Sequence, residues 1–325
     1  MKAWPGQLWE SRSPESQGLC PDEIEDAVDY AFALGNTTGA VLVIKNGYIV
    51  REEYSSGRDA ENLVTSWSVG KSVTSMMMGI ALEQQYLSGL DQSLSDYLTE
   101  WRGTPKDQIT IDHMMTLKTA LETVDAGQLY QAADQLEFSK DRNLIGTPGQ
   151  ELYTYSNADV MLAGEVIAAS VGLNINDYFL QNVGAIIGFE SEWWVDTENH
   201  VLSYCCIDAT AREFARFGLL YARDGEWNGT QVVPQDWVER STKPALEGTY
   251  AYYWWPLIEG FGAFGLNSQI VAVYPNDDLV ILRFSQYTRA GDGSIVRSGG
   301  NYHATSAPLN FDNATFLNTM TSALK

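Results

Sequence analysis

The chain has 325 residues, 45% of them hydrophobic, with 10 Trp, 17 Tyr and 11 Phe, which describes a globular protein with a sizeable core and excludes intrinsic disorder. Its 42 acidic against 20 basic residues leave a formal charge of −22, so neither nucleic acid nor an anionic membrane is an expected partner, since both bind through basic patches. No apolar run approaches the roughly 18 residues of a transmembrane helix, and Met1–Pro5 lacks the apolar core of a signal peptide. The chain as given reads as cytoplasmic, or as a periplasmic or secreted protein whose export signal was removed.

Cys20-Pro21-Asp22-Glu23 opens the first helix, with proline in the first turn and acids at the positive end of the dipole. Ile24, Ala27, Val28, Ala31 and Phe32 form its apolar face, and Gly35 stops it. Two strands follow, Ala40–Ile44 and Tyr48–Tyr54, joined by Asn46-Gly47, the strongest short hairpin signal. A polar connection over 55–63 then leads to Thr65-Ser66-Trp67-Ser68-Val69-Gly70-Lys71-Ser72 and an apolar run from Val73 to Leu82.

If that run is a helix, Ser68 and Lys71 stand one turn apart on one face of its N-terminus. A serine hydroxyl needs a base within hydrogen-bond reach, and a lysine serves only when neutral. The helix N-terminus adds backbone N–H groups that stabilise an oxyanion. Three residues apart is also the spacing of an ordinary capping serine and a solvated lysine. Ser322-Ala323-Leu324-Lys325 repeats the pattern at the frayed C-terminus, where catalysis is not expected. A phosphate loop ending at Gly70-Lys71-Ser72 is excluded, because Thr65 stands where that motif needs glycine.

From Ser68 to about Leu246 the pattern is mainly helical. Thr110 is a cap candidate for the helix starting near Ile111, Gly146–Gln150 is a turn, and helical spacing runs from Asn157 to Val171 and from Asp208 to Ala222, with Asp208 the candidate cap of the latter. Strand patterns return at Ala251–Leu257, Gln269–Tyr274 and Leu279–Phe284. The expected fold class is α/β: an antiparallel sheet built from both chain ends (1–66 and 247–325), flanked by helices, with a large helical insert over 67–246 and the active site between them.

In Tyr153-Thr154-Tyr155-Ser156-Asn157, Tyr155 and Asn157 point the same way on an extended segment. A phenol relays a proton if a nearby cation lowers its pKa, and an amide holds a substrate carbonyl. His113 and His200 read as structural, whereas His303 lies in a polar Gly/Ser-rich loop that borders the cleft. Of Trp254 and Trp255, one is expected in the core and the other on the floor of the substrate pocket. Gly-x-Ser-x-Gly is absent, excluding an α/β-hydrolase elbow. Three cysteines cannot form a disulfide framework; adjacent Cys205 and Cys206 read as buried free thiols, and no Cys/His spacing suggests a metal. No cofactor is expected.

Ser68-x-x-Lys71 opening a helix, Tyr155-x-Asn157 in the insert and a glycine-rich strand start near the end together resemble the serine β-lactamase and penicillin-recognising family. The closer likeness is to its esterase and 6-aminohexanoate-dimer hydrolase branch. It runs through 109–121, 152–164, 208–234 and 253–275, nearly the whole chain. The resemblance implies a β-lactamase-like fold with Ser68 as acyl-accepting nucleophile, Lys71 as its base, Tyr155 as proton shuttle and Asn157 orienting the substrate. The family's third element falls on Gly265-Leu266-Asn267-Ser268-Gln269, without the family's Lys or His. Leu266 and Asn267 are then substrate-contacting, with the Leu266 N–H completing an oxyanion hole with that of Ser68. Lys118-Thr119-Ala120 imitates the missing element but precedes Tyr155 in the chain. The expected substrate is a small ester or amide. The competing readings are a non-catalytic penicillin-binding-like protein on the same fold, and a true β-lactamase or peptidase.

Overall fold

The computed structural model describes residues 2–150, 153–243, 250, 252–287 and 305–324. In chain order the strands are β1 (Thr38–Lys45), β2 (Tyr48–Tyr54), β3 (Leu63–Thr65), β4 (Glu192–Trp193), β5 (Ile207–Thr210), β6 (Glu226–Trp227), β7 (Thr230–Gln231), β8 (Trp255–Leu257), β9 (Gly260–Gly265), β10 (Gln269–Tyr274) and β11 (Leu279–Ser285). The main sheet has the order β2-β1-β11-β10-β9-β8, with every pair antiparallel. A small sheet β3-β5-β4 and the hairpin β6-β7 lie apart from it. The β1–β2 turn is the one Asn46-Gly47 predicts: both residues are left-handed, at φ 56° and 83°, the conformation a two-residue hairpin demands.

Alternation along the central strands divides the core. Val41, Val43, Ile270, Ala272 and Ile281 face one way, into a cluster with Ile24 and Val28 of the Pro21–Phe32 helix and Phe316 of the Asn313–Ser322 helix. Leu42, Ile44, Val271, Val273 and Leu282 face the other way, into the larger cluster. There the Ala211–Ala222 helix packs on β1, β10 and β11 although it lies within the 67–246 stretch of sequence. Its cap is Thr210, not Asp208. The Thr210 hydroxyl accepts from the Glu213 N–H, and the Glu213 carboxylate accepts the Thr210 N–H at 2.6 Å. Both residues are good caps in isolation, and the Glu three positions after Thr210 decides between them. Asp208 belongs to β5 and accepts the Tyr287 hydroxyl at 2.7 Å.

The Val69–Glu83 helix is buried almost all round, between β9 and β10 on one side and the Asn157–Val171 helix on the other. Gly79 permits this on one side, since a Cβ there would lie 2.2 Å from the Trp237 ring. A helix enclosed in this way holds its first turn rigidly, and the candidate site is at that turn. Among the described residues no single helix is long and apolar enough to cross a membrane.

Candidate active site

Trp67 leads into the helix in the left-handed region, at φ 44°, a strained position for a bulky residue. It is held by its indole N–H, which donates to Thr305 Oγ1 at 2.8 Å. Ser68 follows at the N-cap position but does not cap: its hydroxyl accepts no helix N–H. It accepts instead from Lys71 Nζ at 2.8 Å. The strained residue thus aims the Ser68 Oγ at its neighbour one turn on.

Lys71 is fully buried. Its amine also donates to the Tyr204 carbonyl at 2.8 Å, and no ion pair offsets the loss of water among the described residues. Burial alone therefore holds its pKa well below 10.5, because a low-dielectric site penalises the charged form. A neutral amine beside a serine hydroxyl is the arrangement a lysine base requires.

Tyr155 completes the cluster. Its ring centre is 4.9 Å from Lys71 Nζ and 5.6 Å from that of the Tyr250 ring. The residue keeps 37% of its surface exposed. Burial pushes its pKa up to about 12, with the neighbouring Ser68 and Tyr250 side chains restraining that rise. This corrects the expectation of a phenol acidified by a cation. Burial therefore makes the Tyr155 phenol hold its proton more firmly than a free one.

Asn157 is the first residue of the Asn157–Val171 helix, which Ser156 caps by accepting the Asp159 N–H at 3.1 Å. Its Nδ2 reaches the Tyr130 hydroxyl at 3.4 Å, and its buried Oδ1 has no protein donor. Thr119, from the Lys118-Thr119-Ala120 segment, donates to Asp159 at 2.9 Å, and Asp159 is also paired with buried Arg142 at 2.7 Å. That segment is a brace behind the Tyr155–Asn157 stretch.

The Gly265–Gln269 element is a turn between β9 and β10, not the start of a strand. Gly265 closes it onto the nucleophile: a Cβ there would lie 2.5 Å from the Ser66 carbonyl oxygen and 3.0 Å from the Ser68 nitrogen. Leu266 is 56% exposed beside it. The Asn267 amide, expected to face substrate, donates to Thr305 Oγ1 at 2.6 Å and so joins the bracket that holds Trp67.

Trp254 is a core residue, fully buried with its ring 5.5 Å from Phe217 and 4.5 Å from Tyr221. Trp255 is the tryptophan at the site, stacked on Tyr155 at 6.1 Å and 25°. This assigns the two roles, and it removes Trp254 from the substrate pocket. Adjacent Cys205 and Cys206 are buried as expected but joined in a disulfide, not free. His113 Nδ1 accepts the Thr110 N–H at 3.2 Å, completing the cap predicted at Thr110, and His200 lies 3.1 Å from Asp196. His303 lies outside the described residues. Asp134, Asp196 and His200 bring three potential ligand atoms within 4.8 Å, but the carboxylates are occupied by the N–H groups of Gln135, Glu137, Glu198 and His200. Asp134 thereby caps the Gln135–Lys140 helix, and Asp196 ties the turn before His200 to it.

Tyr204 and Tyr250 enter the site without any sequence signal, whereas Trp255 is one of the two tryptophans expected there. Tyr204 contributes a backbone carbonyl, which every residue possesses. Tyr250 and Trp255 come from an aromatic-rich run whose members are separated only by packing.

The Beta-lactamase family profile matches residues 29–296 of the chain. The 6-aminohexanoate-dimer hydrolase of Paenarthrobacter ureafaciens is 22% identical over 288 residues, covering 77% of this chain and 73% of that protein. A class C β-lactamase superimposes with a TM-score of 0.67 at 17% identity, covering 94% of this chain and 96% of its own. A penicillin-binding protein homologue from Caulobacter crescentus superimposes with a TM-score of 0.68 at 15% identity, over 82% of this chain and 92% of its own. At such identities the superpositions speak to the fold.

Proposed function

The chain belongs to the β-lactamase family of hydrolases, and from that premise we propose that it cleaves neutral esters or small amides through an acyl-enzyme on Ser68. The observation that carries this reading is the Ser68 Oγ at 2.8 Å from Nζ of a fully buried, unpaired lysine. Lys71 takes the Ser68 proton as Oγ attacks the substrate carbonyl. The oxygen so charged is met by backbone N–H groups at the helix start and at the Gly265–Leu266 turn. Tyr155 gives its proton to the leaving group, and the Lys71 ammonium returns one to the Tyr155 oxygen, so the net transfer runs from Ser68 to the leaving group. Asn157 Oδ1, buried without a protein donor, is suited to accept a substrate N–H or O–H. Water, activated by the same groups, then releases the acyl group.

The test uses 4-nitrophenyl acetate and intact-protein mass after an acid quench. The wild type gains one acetyl group and turns over. Ser68→Ala gains none and retains less than about a hundredth of the rate, because loss of the nucleophile removes the acyl-enzyme route. An acetylated Ser68→Ala protein with undiminished turnover would overturn the assignment.

A further inference from the structure

Residues 203–207 lie across the start of the Val69–Glu83 helix and bond to it at successive positions. The Ser203 carbonyl accepts the Thr74 hydroxyl at 2.6 Å, and the Tyr204 carbonyl accepts Lys71 Nζ at 2.8 Å. The Cys206 N–H donates to the Trp67 carbonyl at 3.4 Å, and the Ile207 N–H donates to Ser66 Oγ at 2.8 Å. Between these contacts Cys205 rests on Gly70, where an added Cβ would lie 3.2 Å from the Cys205 carbonyl carbon. Cys205 and Cys206 therefore occupy the middle of the contact, buried and joined to each other. A bridge between neighbours closes a small ring that contains their own peptide bond, so it restricts the backbone on both sides of that bond. Cys206 is left-handed, at φ 70°, a conformation that a non-glycine residue rarely adopts unaided.

We propose that Cys205 and Cys206 are positioning residues for the base: their bridge holds the backbone in the bend that keeps the Tyr204 carbonyl on Lys71 Nζ, and so keeps the amine on Ser68. The inference rests on the acyl-enzyme reading above. Among the described residues Lys71 Nζ has two hydrogen-bond partners, Ser68 Oγ and the Tyr204 carbonyl. In that reading a neutral amine has two N–H groups and one lone pair. An N–H spent on the Tyr204 carbonyl fixes the rotation of the amine and leaves its lone pair for the Ser68 proton. Once that proton has moved, the same carbonyl accepts from an ammonium, and a charge-assisted bond is the stronger one. The carbonyl thus supports the base both before and after it acts, and only a fixed backbone keeps it in place.

The test compares the bridged chain with the same chain refolded from urea in the reductant TCEP, and with Cys205→Ser/Cys206→Ser. Alkylation of the denatured wild type counts its thiols: Cys20 alone when bridged, all three cysteines when reduced. Both bridge-free forms are expected to melt cooperatively but to lose at least about tenfold in kcat/KM for 4-nitrophenyl acetate, a fraction of the roughly 10²–10⁴ that a well-placed general base supplies. The acid limb of the pH profile is expected to move to lower pH, because the ammonium loses a stronger bond than the amine does. Cys20→Ser, remote from the site, keeps wild-type rates with and without the bridge reduced in parallel. Wild-type kcat/KM in either bridge-free form overturns the proposal. So does a fall with the acid limb unmoved or moved to higher pH, which general loosening and entry of water would produce. Loss of the cooperative melt overturns it as well, since the bridge then serves folding and not position. Lys71→Met at wild-type rates would instead overturn the base itself, and the acyl-enzyme reading with it, whereas failure of the bridge tests alone leaves that reading standing.

Discussion

Lys71 and Tyr155 show how burial sets chemistry that residue type leaves open. A lysine at a helix start is ordinarily a solvated cation, whereas burial holds the pKa of this one well below 10.5, as the proposed base requires. The sign of the rate dependence follows. Below that depressed pKa, Lys71 binds a proton and cannot accept another, so acylation slows as pH falls; above it the amine is free. The alkaline side is governed by Tyr155, whose pKa of about 12 keeps it a proton donor throughout the usual range. We expect kcat/KM for a neutral ester to rise with pH to a plateau that persists to about pH 10, with one apparent pKa belonging to the Lys71–Tyr155 pair. Stopped-flow rates between about pH 5 and 10 check this. A profile flat across the whole range, or one that falls again near neutrality, contradicts a neutral-lysine base.

At the scale of elements, the site is the meeting of one helix start with one strand end. The Val69–Glu83 helix supplies Ser68 and Lys71, and the turn after β9 presses its backbone against them at Gly265. Glycine is required there by contact, since the nearest atoms to an added Cβ are backbone and cannot swing away. Gly265→Ala is therefore expected to push the turn off Ser68. A displacement approaching 1 Å at a reacting centre costs about 10²-fold in rate, whereas overpacking of one methyl typically costs ~1–3 kcal/mol of stability. Assay and melting of the same variant separate the two effects: kcat/KM falls by about 10–100-fold while a cooperative transition persists. Undiminished activity would show that the turn takes no part in catalysis.

Over the whole molecule, charge decides which substrates are welcome. The net charge is −22, though salt screens most of its effect beyond about 10 Å. The local arrangement matters more. Arg283 lies under the β9–β10 turn, but its guanidinium donates to the carbonyls of Asn36, Asn267 and Ser268 and to Thr38, with no exposed surface. Desolvation lowers its pKa to about 9, a sign of how thoroughly it is enclosed. Leu266 and Asn267, in front of it, offer an anionic substrate no charge. A charge-assisted hydrogen bond contributes ~1.5–3 kcal/mol against ~1 for a neutral one, so on the proposed reading a β-lactam carboxylate is expected to be poorly held. Neutral aryl esters are expected to show kcat/KM at least about tenfold above that of a chromogenic cephalosporin at moderate salt. Equal or faster cephalosporin turnover would mean that a cation elsewhere receives the carboxylate.

The sequence by itself determined what local chemistry can specify. Asn46-Gly47 demanded the β1–β2 hairpin, Pro21 and its acids opened a helix, and Ser68-x-x-Lys71 placed two side chains on one face by backbone period alone. Tertiary structure decided whatever depends on a distant neighbour. β9, Gly260-Phe261-Gly262-Ala263-Phe264-Gly265, has half its positions as glycine and no strand signal, and it is a strand because β8 and β10 flank it. Trp254 and Trp255 are identical in type and adjacent in sequence; the alternation of a strand edge sends one into the core and the other onto Tyr155. The protonation of Lys71 was open until the fold closed over it, because a pKa measures surroundings contributed by segments far away in the chain, here the Tyr204 carbonyl and the rings of Tyr155 and Tyr204.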